Sequence, residues 1–212
     1  MLDPERFIRE NTALVSAPLV PEVKLHLAHE ALALWEKTEE ELAKIGLPPP
    51  YWAFAWAGGQ ALARYVLDNP DSVAGKVVLD VASGSGLVAI AALKAGARTV
   101  EVGEIDAIAC SAIAANAAAN ELTLSPTPTD PIGSDRDWDV ILVGDAFYEK
   151  PLADSLLPWL ETLSARGATI LLGDPGRSYF PKNRFTLLAS YQVPVTRALE
   201  DTEIKVTNVW RY

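Results

Sequence analysis

The stretch VLDVASGSG, residues 78–86, decides the fold class of this chain. Apolar residues of strand type end at Asp80 and Val81, small residues follow, and a helix is predicted to begin near Gly86. A strand, a glycine-rich turn and a helix in this order typically open a parallel α/β sheet, whose ligands lie beyond the carboxyl ends of its strands. Gly84 and Gly86 have no Cβ, so a ligand can approach the backbone closely. The stretch therefore predicts a ligand site at this turn.

Strands and helices alternate along the rest of the chain. The predicted strands cover 76–82, 99–105, 138–145 and 168–174, and the helices between them cover 86–96, 107–120 and 152–163. A weaker strand is expected within 122–129, and the tail from about 185 to 212 has strand character. Near-continuous apolar strands that alternate with helices indicate a mostly parallel sheet that is covered on both faces.

The N-terminal segment is interpreted as helical. Pro4 suits the first turn of a short helix, because its missing N–H has no helical partner there. Between Pro21 and Ile45 apolar residues recur at helical spacing. We therefore expect two regions, a helical extension at 1–50 and an α/β domain at 51–212.

The composition excludes several classes of function. The chain of 212 residues has a net charge of −10, and a pI near 4.7 argues against binding nucleic acid through its phosphates. The single cysteine, Cys110, excludes an intramolecular disulfide and a cysteine-built zinc site, and no metal site is expected. No apolar run approaches the roughly 20 residues of a membrane span, and the charged N-terminus does not resemble a signal peptide. A cytoplasmic protein that does not bind membranes is expected.

Two cofactors suit the glycine-rich turn. The residues GSGLVA at 84–89 fit the dinucleotide pattern G-x-G-x-x-A, with Glu104 as the acid that binds the ribose. S-adenosylmethionine is favoured because Asp80, just before the turn, suits a cationic amino group and would repel a pyrophosphate. The strand at 138–145 also ends in an acid that aromatic residues follow, beside the same crevice. A nicotinamide-dependent oxidoreductase and a scaffold that binds a cofactor without turnover stay open as alternatives.

Three motifs together form a resemblance to a known family. Residues 80–86 resemble the first motif of class I, seven-β-strand methyltransferases, and Glu104–Asp106 resembles their acidic motif after the second strand. Asp145–Tyr148, with the sequence DAFY, is similar to the D-x-x-Y/F signature of the lysine methyltransferases called methyltransferase family 16. With the blocks at 50–70, 173–177 and 207–210, these motifs resemble the members of that family that act on the β subunit of electron transfer flavoprotein.

The resemblance implies a fold, a reaction and a partner. The implied fold is a Rossmann-like α/β sheet of seven strands in the order 3-2-1-4-5-7-6, with the last strand antiparallel. The implied reaction is methyl transfer from S-adenosyl-L-methionine to lysine ε-amines of the electron transfer flavoprotein beta subunit. Another protein or a small-molecule amine is the alternative acceptor.

The predicted catalytic residues end the strand at 138–145 or follow it. Methyl transfer needs a neutral amine aimed at the methyl group, and Asp145 is placed to bind the amine N–H and orient its lone pair. Phe147 and Tyr148 are expected to wall the lysine channel, since aromatic faces suit a cation. Asp174 and Arg177 are expected to pair with each other or to shape the substrate side.

The predicted cofactor-binding residues lie on several segments. Asp80 is expected to bind the amino group of the cofactor, directly or through water, and Glu104 to bind its ribose hydroxyls. Trp52 and Trp56 either close over the cofactor or pack in the core. The other candidates are Ala82, Ser83, Gly84, Gly86, Ile105, Asp106 and Gly144, with Asp130, Pro131 and Ile132 expected near the adenine. Ala82 stands where the motif usually has glycine, which is tolerable if this residue does not need a positive φ.

Overall fold

A computed structural model describes residues 3–28, 49–195 and 202–212 of the chain. The helices are α1 (Pro4–Asn11), α2 (Ala57–Asp68), α3 (Leu87–Lys94), α4 (Ala107–Ala119) and α5 (Lys150–Ala165). The strands are β1 (Ala13–Ala17), β2 (Val20–Leu27), β3 (Val77–Val81), β4 (Thr99–Gly103), β5 (Val140–Gly144), β6 (Thr169–Asp174), β7 (Thr186–Pro194) and β8 (Ile204–Arg211). No helix in this part of the chain is long and apolar enough to cross a membrane.

Six of the strands form one sheet in the order β4-β3-β5-β6-β8-β7. Strands β3 to β6 are parallel to one another, and β8 is antiparallel to both of its neighbours. This topology confirms the predicted Rossmann-like sheet with an antiparallel last strand. Alternate residues of β3 and β5 face two separate hydrophobic clusters, one with α2, α3 and α4 and the other with α5. Burial on both faces explains why these strands are apolar along nearly their whole length.

One predicted strand does not form within the described residues. The segment 122–129 contributes only an isolated bridge, between Thr129 and Glu104. Two prolines lie in this segment, Pro126 and Pro128, and neither has an N–H to donate to a ladder with β4. Within the part of the chain that the structure describes, the sheet therefore has six strands, in the predicted order without its first member.

The N-terminal segment differs from its predicted helical structure. After α1, the residues 13–27 form an antiparallel hairpin of β1 and β2 instead of the helix expected from Pro21. Val23 and Leu25 are buried on either side of exposed Lys24, which is the period of a strand. Both side chains belong to the main hydrophobic cluster of the sheet. The rest of the predicted helix lies outside the described residues, and the division of the chain into two regions stays a prediction.

Asn116 of α4 and Asn120, which follows its last residue, fasten the hairpin to the α/β core. The Asn120 side chain accepts a hydrogen bond from Lys24 N at 3.0 Å and donates one to Lys24 O at 2.6 Å. The Asn116 side chain accepts from His26 N at 2.6 Å and donates to Ser85 O at 2.8 Å. Asn116 is fully buried, so its amide satisfies backbone groups that would otherwise be costly to bury. The hairpin is thereby connected to the glycine-rich turn.

Helix α2 begins in close contact with the carboxyl ends of β5 and β6. Gly58 and Gly173 lie against each other, and a Cβ on either residue would overlap the backbone of the other. A Cβ on Gly144 would likewise lie 3.0 Å from the Gly59 Cα. These glycines bring the N-terminus of α2, with its free N–H groups, to the edge of the sheet where the parallel strands end.

Candidate active site

A cavity of about 480 Å³ lies at the carboxyl ends of β3, β4 and β5. Its walls combine aromatic and aliphatic side chains with the carboxylates of Glu104, Asp106, Asp130, Asp145 and Glu149. A parallel sheet binds its ligands at this edge, and a cavity of this size suits a small-molecule cofactor. The cavity therefore lies where the glycine-rich turn predicts a ligand site.

Most of the predicted site residues line this cavity. They are Trp52, Trp56, Ala82, Gly84, Glu104, Ile105, Asp106, Gly144, Asp145 and Tyr148. The Asp130–Ile132 loop also lines it. Gly86 does not line the cavity. It precedes α3 with a φ of 80°, and a Cβ on it would lie 3.0 Å from Ile113 Cγ2. Gly86 and Ser83 thus belong to the turn but contact Ile113 and Asp80 beneath it, and neither lines the cavity.

Phe147 lies in the hydrophobic core and not in the channel wall predicted for it. It is 1% exposed and packs edge-on against Phe180 and Phe185, with ring centroids 5.4 and 6.4 Å away. The neighbouring Tyr148 lines the cavity and is 40% exposed. In the turn after β5, one aromatic side chain therefore packs in the core and its neighbour lines the cavity. The spacing of the residues alone does not predict this difference.

Asp80 lies beneath the glycine-rich turn and does not reach the cavity. Its Oδ2 accepts a hydrogen bond from Ser83 Oγ at 2.5 Å and another from Ala89 N at 3.0 Å. Burial raises the pKa of this carboxyl from 3.8 to about 7, and the nearby Glu104 carboxylate adds to the increase. In this structure Asp80 holds the turn against α3, and its contact with the cofactor, directly or through water, stays a prediction.

We expect Asp80→Asn to stabilise the protein at pH 8 by about 1 kcal/mol or more, and to have little effect near pH 4. A carboxyl whose pKa is raised on folding takes up a proton, so its contribution to stability falls as the pH rises from about 4 to 7. Asparagine keeps a hydrogen-bonding side chain and removes the buried charge. Urea unfolding of both proteins between pH 4 and 8 measures the difference, and a difference that does not grow with pH would contradict the raised pKa.

Ala82 has a φ of 51°, in the left-handed region that favours glycine. The sequence suggested that alanine is acceptable here if the residue does not need a positive φ, and the structure shows that it has one. The left-handed conformation costs a residue with a Cβ roughly 1–2 kcal/mol. The positive φ thus explains why the motif usually has glycine at this position.

Ala82→Gly is expected to raise the free energy of unfolding by about 0.5–1 kcal/mol, after the larger backbone entropy of glycine in the unfolded state is subtracted. The control is Ala118→Gly, at an exposed position in the last turn of α4, which is expected to lower the free energy of unfolding by about 0.5 kcal/mol. Thermal and urea unfolding measure both variants. Equal losses in the two variants would contradict the strain at Ala82.

Glu104 connects the glycine-rich turn to the turn after β4. Its Oε2 accepts from Gly84 N at 2.9 Å, and its Oε1 accepts from Ile105 N at 2.8 Å and Asp106 N at 3.0 Å. Asp106 in turn caps α4, since its Oδ1 accepts from Ile108 N at 2.8 Å. The Glu104 carboxylate is therefore fixed at the cavity wall by three backbone N–H groups, with a defined orientation toward any ligand.

Asp145 joins three elements at the cavity. It follows β5 with a φ of 55°, and its Oδ2 accepts from the N–H groups of Gly58 and Gly59 at the start of α2, the latter at 3.1 Å. Its Oδ1 accepts from Arg177 Nε at 2.8 Å and lies 2.6 Å from Arg177 Nη2. Asp174, which was expected to pair with Arg177 or to shape the substrate side with it, accepts from the Arg177 backbone N at 2.8 Å. The carboxylate thus caps α2 and holds a guanidinium at once.

Aromatic rings line the same cavity as Asp145 and Arg177. The Tyr51 ring centroid lies 5.5 Å from that of Tyr148 and 6.2 Å from that of Trp56, and the Arg177 guanidinium carbon is 5.9 Å from the centre of the Trp56 ring. Burial raises the pKa of Tyr148 to about 12, so its hydroxyl is neutral at physiological pH. Trp52 lines the cavity from the side of α1, where it packs against Phe7 at 6.5 Å.

Sequence reasoning missed several lining residues. Tyr51, Glu149 and Leu152 line the cavity, but the sequence analysis assigned them no role. Tyr51 adjoins the predicted Trp52, and Glu149 adjoins the predicted Tyr148, so proximity in the chain was the available signal. A Cβ on Gly103 would lie 2.5 Å from Pro131 Cγ, which shows how closely the 130–132 loop covers the end of β4.

Comparison with known proteins shows that this chain is similar to methyltransferases. Residues 60–143 match the family described as ribosomal protein L11 methyltransferase (PrmA). The chain is 42% identical over 218 residues to the electron transfer flavoprotein beta subunit lysine methyltransferase of Danio rerio. The aligned region covers 99% of this chain and 83% of that protein.

Two solved structures share the fold. The ribosomal protein L11 methylase of Lactobacillus delbrueckii subsp. bulgaricus is 20% identical, with a TM-score of 0.50 over 74% of this chain and 79% of that one. A protein proposed to be a methyltransferase, solved in complex with SAH, is 15% identical, with a TM-score of 0.50 over 89% of this chain and 53% of that one. At these identities the likeness concerns the fold alone.

Proposed function

The chain belongs to the electron transfer flavoprotein beta subunit lysine methyltransferase family, and we propose that it transfers methyl groups from S-adenosylmethionine to lysines of that flavoprotein subunit. Its identity to the relative from Danio rerio extends over 99% of the chain. The observation that carries the proposal is that one cavity joins the glycine-rich turn to Asp145 and Tyr148. A cavity of this form can hold a methyl donor and a lysine side by side, as direct transfer between them requires.

The turn and its surroundings fit S-adenosylmethionine. A Cβ added at Gly84 would meet no atom within 4 Å, so the backbone there is open to a ligand. The fixed carboxylate of Glu104 suits ribose hydroxyls, and Ile105, which is 72% exposed, offers an apolar surface to an adenine ring. Asp80 supports the turn from below. The cofactor would supply a methyl group on a positively charged sulfur, and these residues would bind and orient it.

The opposite wall of the cavity suits a lysine side chain. Glu149, next to Tyr148 in the chain, brings negative charge to the cavity, which attracts a cationic side chain. Tyr51, Trp56 and Tyr148 offer aromatic faces to an ammonium and exclude water around it. A free lysine has a pKa of about 10.4, and loss of water favours its neutral form, which is the nucleophile. We propose that Asp145, at this wall, orients the amine.

The direct test measures the intact mass of the flavoprotein beta subunit after incubation with the enzyme and S-adenosylmethionine. Steps of about 14 Da, one for each methyl group that replaces a hydrogen, are expected on that subunit and not on its partner subunit. Omission of the enzyme or of the cofactor is expected to remove the steps.

A second acceptor makes the substrate test specific. Ribosomal protein L11 belongs in the same assay, because residues 60–143 match the family of its methyltransferases. Methylation of L11 alone, or an unchanged beta subunit in a preparation that binds S-adenosylhomocysteine, would reject the proposed substrate. The cytoplasmic location stays a prediction from the sequence.

A further inference from the structure

We propose that Arg177 is a positioning residue for methyl transfer, because it fixes the plane of the Asp145 carboxylate at the cavity. This inference builds on the proposed function, in which Asp145 orients the lysine amine. Arg177 follows β6, 32 residues from Asp145 in the chain, and both residues line the cavity. Among the described lining residues, Arg177 is the only cation.

The two oxygens of Asp145 are held from different sides. The N-terminus of α2 holds Oδ2 through Gly58 and Gly59, which is one point of attachment of the carboxylate. Arg177 supplies the second point of attachment, because its Nε and Nη2 both approach Oδ1, at 2.8 and 2.6 Å. The carboxylate then presents its negative charge to an amine in one fixed orientation.

The ion pair is placed where it is strong. The Arg177 side chain is 20% exposed and the Asp145 side chain 9% exposed, so solvent screens the pair far less than it screens an exposed pair. Removal of one partner from such a pair leaves a poorly solvated charge, which is costly. The pair is therefore held together by the cost of leaving either charge poorly solvated, as well as by the attraction between the two charges.

The backbone around Arg177 is fixed as well. Asp174 is 1% exposed at the end of β6, and its Oδ1 accepts from Gly176 N at 2.6 Å and from Arg177 N at 2.8 Å. The guanidinium also lies over the Trp56 ring, at 5.9 Å from its centre. A lysine at this position has one ammonium centre and cannot reproduce two directed contacts and a planar face. The geometry thus requires arginine and not merely a positive charge.

The kinetic test compares Arg177→Lys and Arg177→Met with the wild type on the beta subunit. We expect kcat to fall about tenfold in the lysine variant and about a hundredfold in the methionine variant, while the KM for S-adenosylmethionine changes less than about twofold. Arg166→Lys is the matched control. Arg166 Nε lies 2.5 Å from Asp135 Oδ2, and Arg166 does not line the cavity. The kcat of Arg166→Lys is therefore expected to equal that of the wild type.

A double-mutant cycle shows whether Arg177 acts through Asp145. If it does, the variant with both Asp145→Asn and Arg177→Met is no slower than Asp145→Asn alone. Effects on kcat that multiply would overturn the proposal, and so would a kcat in Arg177→Met within twofold of the wild type. A fall in kcat that is matched by the loss of folded protein would also overturn it, since this indicates a structural role only.

A spectroscopic measurement keeps the inference separate from the choice of substrate. The Gly58 and Gly59 amides donate to the Asp145 carboxylate, and their NMR signals report its orientation without any turnover. We expect both signals to move in Arg177→Met and to stay in place in Arg166→Lys. Unchanged glycine signals in Arg177→Met overturn the positioning role. Moved signals with an unmethylated beta subunit support this role and reject only the proposed substrate.

Discussion

Replacement of Asp145 by asparagine is expected to lower kcat for lysine methylation by about a hundredfold or more, with less than a twofold change in affinity for S-adenosylhomocysteine. The carboxylate accepts from Gly58 and Gly59 on one side and from Arg177 on the other. An asparagine amide has one acceptor oxygen, so its NH₂ group must face one of these donors. The side chain then turns or shifts, and the amine loses an acceptor of fixed direction.

The control for Asp145 lies at the opposite end of the same strand. Asp139, just before β5, accepts a hydrogen bond from Val77 N at 2.7 Å and is exposed. Asp139→Asn is expected to keep kcat within about twofold, because the side chain lies far from the cavity edge of the sheet. Binding of S-adenosylhomocysteine, measured by calorimetry, separates a defect in the cofactor site from one in the transfer step. Full activity of Asp145→Asn would contradict the role proposed for Asp145.

Replacement of Gly58 by alanine is expected to destabilise the protein by about 3 kcal/mol or more. A Cβ at Gly58 would overlap the carbonyl oxygen of Gly173 and would lie 2.5 Å from Asp145 Oδ2 and 2.8 Å from its Cγ. Neither the backbone of β6 nor the buried carboxylate can move away cheaply. Helix α2 would have to separate from the sheet, and the site would lose the N–H groups that hold Asp145.

The neighbouring glycine is expected to show the opposite effect. A Cβ at Gly59 would meet only Val88 Cγ2, at 3.9 Å, which is an ordinary van der Waals contact. Gly59→Ala is therefore expected to stabilise the protein by about 0.5–1 kcal/mol, because alanine favours a helix and restricts the unfolded chain. Urea unfolding of the two variants measures both effects. Similar free energies of unfolding for the two variants would contradict the close approach at Gly58.

The sequence predicts the sheet well because its central strands are buried on both faces. Continuous apolar runs, such as those of β3 and β5, are a local signal that survives in any compact arrangement. The N-terminal hairpin was harder to predict. Val23 and Leu25 are spaced as in a strand, but the apolar residues on both sides of them also suit a helix. Asn116 and Asn120, far along the chain, bond the backbone of β2, and no local pattern predicts that contact.

The site shows the same division between local and distant information. The turn at 82–86, Glu104 and Asp145 were predictable because each ends a recognisable strand, and such ends meet at one edge of a parallel sheet. The direction of a side chain after the strand was not predictable. Phe147 and Tyr148 are adjacent, yet only Tyr148 lines the cavity. Alanine itself likewise gives no signal of the positive φ of Ala82, and only the glycine that the motif usually has at this position raised the question.

The sequence by itself determined the class of fold, the edge of the sheet that binds ligands and most of the residues that line its cavity, because strand and turn patterns are properties of neighbouring residues. Only the tertiary structure decided how those residues are held. Asp145 receives its hydrogen bonds from Gly58, 87 residues away, and from Arg177, 32 residues away. Such contacts depend on the close packing of α2 against β5 and β6, and no spacing within one segment encodes them.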